Sequence, residues 1–172
     1  MTIENNLLEM SKSLDNLEKS GIYDVEKFSY ALLHQTKQLE YFYCQLVKDG
    51  NCNDTFYHIK KRPHVHELAY FNIGRGFPKE LMDGHWCYVL KDLGYKMLVI
   101  PCTSIKQDSS CANPQYEKDI DIEILNKTNH CRIQLSDIRS IDIQRIDLRK
   151  PFYKVLTPKK EIDDFIHKNL FE

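Results

Sequence analysis

The sequence contains no long apolar run, and its first residues lack the segments of a secretory leader. A membrane-spanning helix needs about 18 consecutive apolar residues, and no stretch of this chain approaches that length. A leader would begin with a positively charged segment followed by an apolar one. We therefore expect a cytoplasmic protein that does not span a membrane.

The sequence also lacks any pair of cysteines in CxxC spacing. Disulfide frameworks and zinc knuckles use regular cysteine spacings, whereas the spacings here are irregular. Three of the cysteines lie in apolar, strand-like segments, and we interpret these as reduced thiols that pack as small hydrophobic side chains. The six cysteines are Cys44, Cys52 and Cys111, outside such segments, and Cys87, Cys102 and Cys131, within them.

Neither charge is in excess, because 24 lysines and arginines nearly balance 25 aspartates and glutamates. The pI is about 6.7, so the molecule as a whole is not a polycation. Any contact with nucleic acid must therefore come from a local basic patch. With 172 residues, of which 42% are hydrophobic, the chain is long enough for one domain with a core and a small helical extension.

The beginning of the chain has the apolar spacing of helices. Apolar residues recur every three or four positions over residues 3–19, and a serine and a glycine then interrupt the pattern. Asp24 is positioned to cap a second helix that runs to about Val47. The sequence therefore predicts a helical hairpin in residues 1–50, followed by a linker over residues 51–63.

After the linker the pattern becomes strand-like. The segment 119–124 alternates strictly, so we expect it to bury one face only. Thr157 is placed to cap a final helix, Lys159–Phe171, with Pro158 at its first position. Many short strands before one helix predict an α+β fold, a small antiparallel barrel with a C-terminal helix. The predicted strands are residues 66–71, 85–90, 95–100, 119–124, 131–135 and 152–156.

Four short segments of residues 64–172 occur in an informative order. They are a strand that runs into Gly74, then Glu80 followed by Gly-His-Trp-Cys-Tyr-Val-Leu (84–90), then Val-Ile-Pro-Cys-Thr-Ser (99–104), and finally Leu-Ser-Asp-Ile-Arg-Ser-Ile-Asp (135–142). Together they resemble the MazF/PemK family of toxin–antitoxin ribonucleases. The sequence departs from that family where His85 replaces the usual arginine and where Asp137 replaces a glutamine.

The resemblance implies a toxin domain in residues 64–172, built as an SH3-like (MazF/CcdB-like), partly open barrel. It implies a homodimer that cuts single-stranded RNA, in particular mRNA, at short sequences without a metal or other cofactor. The products would be a 2′,3′-cyclic phosphate and a 5′-OH. It also implies an antitoxin partner whose disordered segment fills the cleft and folds on binding.

RNA is cut without a metal when its own 2′-OH attacks the adjacent phosphorus. The reaction needs groups that move protons and donors that bind the developing charge. His85 is the first catalytic candidate, because imidazole transfers protons near neutral pH and because the matching family position carries the catalytic arginine. Thr103 matches the family threonine implicated in phosphate contact. Glu80 is the third candidate, placed to orient His85.

The candidates for RNA binding are Arg75, Lys79, Ser104, Arg139 and Trp86. The resemblance places Arg75 and Lys79 in a loop that borders the substrate cleft. Arg139 can clamp a phosphate with two hydrogen bonds, or it can pair with Asp142 and hold its own turn. Trp86 can stack on an unpaired base, although such aromatic residues more often belong to the core.

Other functions remain open at this stage. The same barrel occurs in CcdB-like toxins, which bind gyrase without cleaving RNA, and the replaced arginine strengthens the case for this alternative to the nuclease. A degenerate barrel that serves as an interaction module is a further alternative. If His64 and His66 lay on one strand, they would face one way, but a metal site there would need a third ligand that the sequence does not provide.

Overall fold

The computed structural model describes residues 2–47, 57 and 59–172. The chain divides into two compact units, Met1–Thr55 and Phe56–Glu172, and each is described by itself. The predicted linker over residues 51–63 lies largely outside the described residues, and so does Cys52.

The first unit contains two helices, α1 (Ile3–Ser20) and α2 (Val25–Tyr41). A short π-helical segment, Phe42–Leu46, continues α2. Both predicted helices are therefore present. The second was expected to run unchanged to Val47, but its hydrogen bonding changes to the π pattern at Phe42.

The ends of these helices are capped by local hydrogen bonds. The Thr2 hydroxyl accepts a backbone N–H in the first turn of α1, and Gly21 ends that helix with a φ of 67°, a conformation that glycine adopts without a Cβ clash. The Asp24 carboxylate accepts the Lys27 N–H at 2.9 Å. This confirms Asp24 as the predicted N-cap.

The second unit contains seven strands in its described part. They are β1 (Glu67–Gly74), β2 (Asp83–Asp92), β3 (Lys96–Ser104), β4 (Glu117–Ile124), β5 (Lys127–Gln134), β6 (Arg139–Asp142) and β7 (Tyr153–Val155). All six predicted strands are present, and β6 is an addition. The sequence predicts a turn at this position. The strand β6 is only four residues long and lies between two 3-10 turns.

Six strands form a closed antiparallel ring in the order β2-β1-β7-β4-β5-β3, with β3 pairing back to β2. The length of β3 makes this closure possible. It pairs with β2 over residues 97–101 and with β5 over residues 102–104. The sixth strand along the chain, β6, pairs only with β3. The fold is therefore α+β with a closed barrel, where the sequence had predicted a partly open one.

The inside of the ring is filled by one apolar cluster, to which every barrel strand contributes. On β4 the alternation of buried isoleucines with exposed aspartates confirms that this strand buries one face only. The buried members are Leu68, Tyr88, Ile100, Cys102, Ile120, Ile122, Cys131, Ile133, Leu135, Val155, Ile162 and Ile166.

A second apolar cluster lies on the opposite face of β1, β2 and β3, outside the ring. Side chains alternate along a strand. On these three strands, the residues next to those that point into the ring therefore point to this second cluster. It is covered by β6 and the segment that follows. The buried members are Ile59, Ala69, Phe71, Ile73, Cys87, Val89, Met97, Val99, Ile141, Ile143 and Ile146. We call this side of the sheet the outer face.

The final helix, α3 (Lys159–Phe171), packs against the barrel interior through Ile162 and Ile166. The expected N-cap at Thr157 is wrong. Pro158 occupies the cap position without a side-chain hydrogen bond, and the Thr157 hydroxyl instead accepts the backbone N–H of Asp121 at 2.8 Å. Among the described helices, none is long and apolar enough to cross a lipid bilayer.

The three cysteines predicted to pack in apolar strands are free and buried. They are Cys87, Cys102 and Cys131. Burial raises the pKa of the Cys87 thiol and of the Cys102 thiol, so both remain protonated at neutral pH. They therefore serve as small hydrophobic side chains, as the sequence predicted.

Candidate functional site

His85 lies near the start of β2, opposite the buried Phe71 of β1. Its ring Nδ1 is 3.2 Å from the carbonyl oxygen of Cys102 on β3. Gly84 precedes it, and a Cβ at that position would overlap the ring of Tyr70. A glycine is therefore required for Tyr70 to pack across β2 beside Trp86, on the face of the strand opposite His85.

Thr103 occupies the matching position on β3. The structure pairs Cys87 with Pro101, and extending that antiparallel register by two residues places His85 opposite Thr103. Side chains alternate between the two faces of a strand. His85 and Thr103 each lie an even number of positions from a residue of their own strand that belongs to the second apolar cluster. Both side chains therefore point to the outer face. The paired residues of β2 and β3 end at Cys87 and Pro101, so what links the two catalytic candidates is the contact of the His85 ring with the carbonyl of Cys102, the residue before Thr103.

The hydroxyl of Thr103 is held by residues that sequence reasoning did not select. The Gln134 side-chain amide donates to Thr103 Oγ1 at 3.3 Å and to Glu117 Oε1 at 3.0 Å. Gln134 and Glu117 are direct partners across β5 and β4. The alternation of β5 offered one signal, because Gln134 falls on the face opposite the buried Cys131 and Ile133. Its contact with Thr103 depends on how β3 and β5 align.

Arg139 reaches the same outer face from β6, where it pairs with Val99. Its guanidinium donates to Asp137, with Nη2 3.0 Å from Oδ1 and Nε 3.2 Å from the carbonyl oxygen. The positive charge of Arg139 also opposes the effect of burial on the pKa of Cys87.

The alternative partner considered for Arg139 was Asp142, and the structure excludes that pairing. Asp142 accepts the backbone N–H of Gln144 at 2.8 Å and caps the 3-10 turn that follows β6. Asp137 has a second role, because its Oδ1 accepts the Leu81 N–H at 3.0 Å. This residue therefore ties Arg139 to the loop between β1 and β2.

Two charged side chains of that loop form hydrogen bonds with groups in or next to the loop. Arg75 donates two hydrogen bonds to Asp83, at 2.8 Å and 2.9 Å, and only 8% of its side chain is exposed. The Glu80 carboxylate accepts the Phe77 N–H at 3.0 Å and lies against Gly76. Both side chains are thus engaged inside the loop rather than directed to His85. Lys79 lies at the exposed tip.

Two RNA-binding candidates lie away from the outer face. Trp86 points to the opposite side of β2 from His85, with its ring centroid 4.4 Å from that of Tyr153, and it packs against the barrel interior. Ser104 follows Thr103 and therefore points to the other face of β3. The structure separates these two residues from His85 and Thr103.

The two histidines weighed for a metal site do not share a strand face. His66 has a φ of 73° and precedes the first residue of β1, so strand alternation does not apply to it. Its Nδ1 is 3.0 Å from the Tyr88 hydroxyl, and burial lowers its pKa. Within the described residues, no three metal-binding side chains are grouped to hold an ion.

The outer face thus combines an imidazole, a fixed hydroxyl and a guanidinium on neighbouring strands. An imidazole transfers protons, a hydroxyl donates a hydrogen bond to an oxyanion, and a guanidinium attracts phosphate. These are the functions that cleavage of a phosphodiester requires. Neither a protein-family model nor a curated protein matches this chain, so the case for function depends on this geometry and on the sequence resemblance.

Proposed function

We propose that the protein is a sequence-specific, metal-independent endoribonuclease that cleaves single-stranded RNA by attack of its own 2′-OH, as in the MazF/PemK toxins. The observation that carries the proposal is the contact of the His85 ring with the carbonyl of Cys102, the residue next to Thr103, with Arg139 on the same face of the sheet. The resemblance of residues 64–172 to that family independently links His85 and Thr103 to the same reaction.

The hydrogen bond of His85 assigns a role to each ring nitrogen. A carbonyl oxygen has no proton to donate, so the contact with Cys102 requires a proton on Nδ1. In the neutral ring, Nε2 is then unprotonated and is able to accept the 2′ proton. His85 is therefore the general base in this mechanism.

Thr103 and Arg139 act on the phosphate. Because the Thr103 oxygen accepts a hydrogen bond from Gln134, its own proton is directed elsewhere and is suited to a non-bridging phosphate oxygen. Arg139 supplies positive charge next to that position. In this chain it compensates for the arginine that His85 has replaced on β2.

The reaction conserves atoms and charge in a simple way. The 2′ oxygen forms the new bond to phosphorus as Nε2 takes its proton, and the bond from phosphorus to the 5′ oxygen breaks. The leaving oxygen takes a proton from solvent. The products are an RNA with a 2′,3′-cyclic phosphate and an RNA with a 5′-OH.

The same resemblance suggests the setting of this activity. We propose a cytoplasmic toxin that acts as a homodimer and is neutralised by a cognate antitoxin. The antitoxin would bind through a disordered segment that folds on the barrel. Co-expression with a neighbouring gene product that restores growth would test this part of the proposal.

Cleavage is expected to survive chelation. Single-stranded RNA incubated with the full chain in EDTA should be cut, and the fragments should carry cyclic-phosphate and 5′-OH ends. The reason is that protein side chains and solvent supply every proton transfer and charge contact in the mechanism. Gel mapping of the RNA ends is the measurement. Loss of cutting in EDTA, with recovery on addition of zinc, would overturn the metal-free mechanism.

Asp137→Ala is expected to lower the cleavage rate by about 10-fold or more, because misplacement of a charge by a small distance weakens transition-state contacts. The variant should also release the Leu81 amide to faster hydrogen exchange, since Asp137 accepts that N–H. Asp164→Asn, on the exposed side of α3, is the matched control. Unchanged cleavage together with lost protection at Leu81 would limit Asp137 to a structural role.

A non-catalytic binder in the manner of the CcdB-like toxins is the second candidate, since His85 stands where the family carries arginine. It predicts growth arrest and gyrase inhibition without any cut RNA. The same RNA incubation, run beside a gyrase supercoiling assay, separates the two functions.

A further inference from the structure

The two helices of the first unit each carry an apolar seam with the same spacing. In α1 and α2 the seam residues are separated alternately by three and four positions, an average of about 3.5 residues, which is the repeat of helices that supercoil around one another. The seam of α1 is Ile3, Leu7, Met10, Leu14 and Leu17, and that of α2 is Val25, Phe28, Leu32, Gln35 and Leu39.

Within the first unit these seams are only partly covered, since five seam residues are exposed and five are half-buried, namely Leu14, Val25, Phe28, Leu32 and Gln35. Within residues 2–47 no side chain is buried. Ile3 is 80% exposed, Leu7 55% and Leu39 50%. Short helices owe most of their stability to the packing of an apolar face, and the described hairpin provides no buried core of its own. Its apolar residues therefore need a further surface.

The flanks of the two seams differ, because the positions beside the α1 seam include Glu4 and Glu18. In α2 the positions beside the seam hold no charged residue, since they are Ser29, Ala31, Thr36 and Gln38. Its four charged residues all lie on the far side of the helix, at Glu26, Lys27, Lys37 and Glu40. In two-stranded coiled coils the flanking positions are often charged and select the partner. Uncharged flanks suit a helix that is covered on both sides, as in a four-helix bundle.

We propose that the hairpins of two copies of this chain associate through these seams and form a four-helix bundle. A second copy fits for three reasons. It supplies the same repeat, its uncharged α2 flanks do not repel the α2 of the first copy, and two hairpins provide the number of helices that such a bundle needs. This contact lies in residues 3–41 and is separate from the outer face of the barrel, so it does not depend on ribonuclease activity.

Gln35 is the one polar residue among the ten seam positions. A single polar residue in an apolar seam fixes register and oligomeric state at some cost in stability. Gln35 therefore sets the alignment of the bundle and weakens it. Replacing it by leucine should strengthen the association, an effect that misfolding cannot imitate.

Sedimentation equilibrium of the full chain tests the proposal. The unmodified chain should self-associate, and Leu7→Glu combined with Leu39→Glu should raise the dissociation constant at least about 10-fold, because each places a charge in the seam. Gln35→Leu should lower the constant by about 10-fold. Lys37→Glu, on the outer side of α2, is the matched control and should leave it unchanged.

Two results would overturn the proposal. One is an unmodified chain that stays monomeric at every soluble concentration, as it would if the seams were covered within one chain. The other is an association that neither the glutamate pair nor Gln35→Leu alters, which would place the contact on another surface such as the barrel. Circular dichroism at several protein concentrations gives an independent check, since helix melting should shift to higher temperature as concentration rises.

Discussion

His85→Ala is expected to lower the rate of RNA cleavage by at least about 100-fold, the usual effect of removing a general base. The imidazole is the only titrating group that the mechanism uses to take the 2′ proton, and its Nδ1 contact with Cys102 fixes the ring. Single-turnover cleavage of a short RNA measures the effect without interference from product release. His130→Ala is a matched control, because His130 is an exposed histidine on β5.

A second substitution at this position distinguishes a role of His85 as general base from a role as a source of positive charge. His85→Arg introduces the residue type of the MazF/PemK family, so it supplies a positive charge but cannot accept a proton at neutral pH. If His85 is the base, this variant should lose as much activity as the alanine variant. If charge alone matters, it should cleave as well as the unmodified chain. Near-normal cleavage by His85→Ala would remove the histidine from the mechanism altogether.

Ile162→Ala is expected to lower the free energy of unfolding by about 2–5 kcal/mol, the range for truncating a fully buried isoleucine. Ile162 has no exposed surface and joins α3 to the barrel interior, so its removal leaves a cavity that the closed ring of strands cannot collapse to fill. Urea unfolding followed by the fluorescence of Trp86 measures the change in the barrel itself, since Trp86 is the single tryptophan of the chain.

Leu170→Ala is the control for this substitution. Leu170 lies on the same helix but is 44% exposed, so we expect a change within about 0.5 kcal/mol. Equal losses for the two variants would mean that α3 does not pack in the orientation described. A loss at position 162 with no loss at position 170 would support α3 as part of the barrel core.

The regular parts of the fold were predictable because their patterns are local. Alternation identified β4 and its single buried face, and the serine-glycine break and Asp24 located the two helices of the first unit. β6 was missed because four residues between two tight turns carry too little pattern. The cap at Thr157 failed for a different reason, since a backbone N–H from β4 takes its hydroxyl. Contacts between segments that are distant in the sequence determine both the strand pairing of β6 and the partner of the Thr157 hydroxyl.

The candidate site was predictable only in part. The resemblance selected His85, Thr103 and Arg139, and the outer face includes all three. Gln134 and Asp137 gain their roles from contacts across strands and loops, and such contacts depend on register, which a single sequence specifies only weakly. Glu80 was expected to orient the histidine, yet its carboxylate binds an amide three residues before it.

The closed ring also limits how one barrel can add to another. Each of the six barrel strands has a neighbour on both sides, so β6 is the one described strand that pairs along a single side. Exposed strand edges are where sheets extend between molecules and begin to aggregate. Here that edge is four residues long and carries Arg139 and Asp142 at its ends. Among the described strands, the one that lacks a second neighbour is therefore a short, charged segment, which is a poor template for fibre growth.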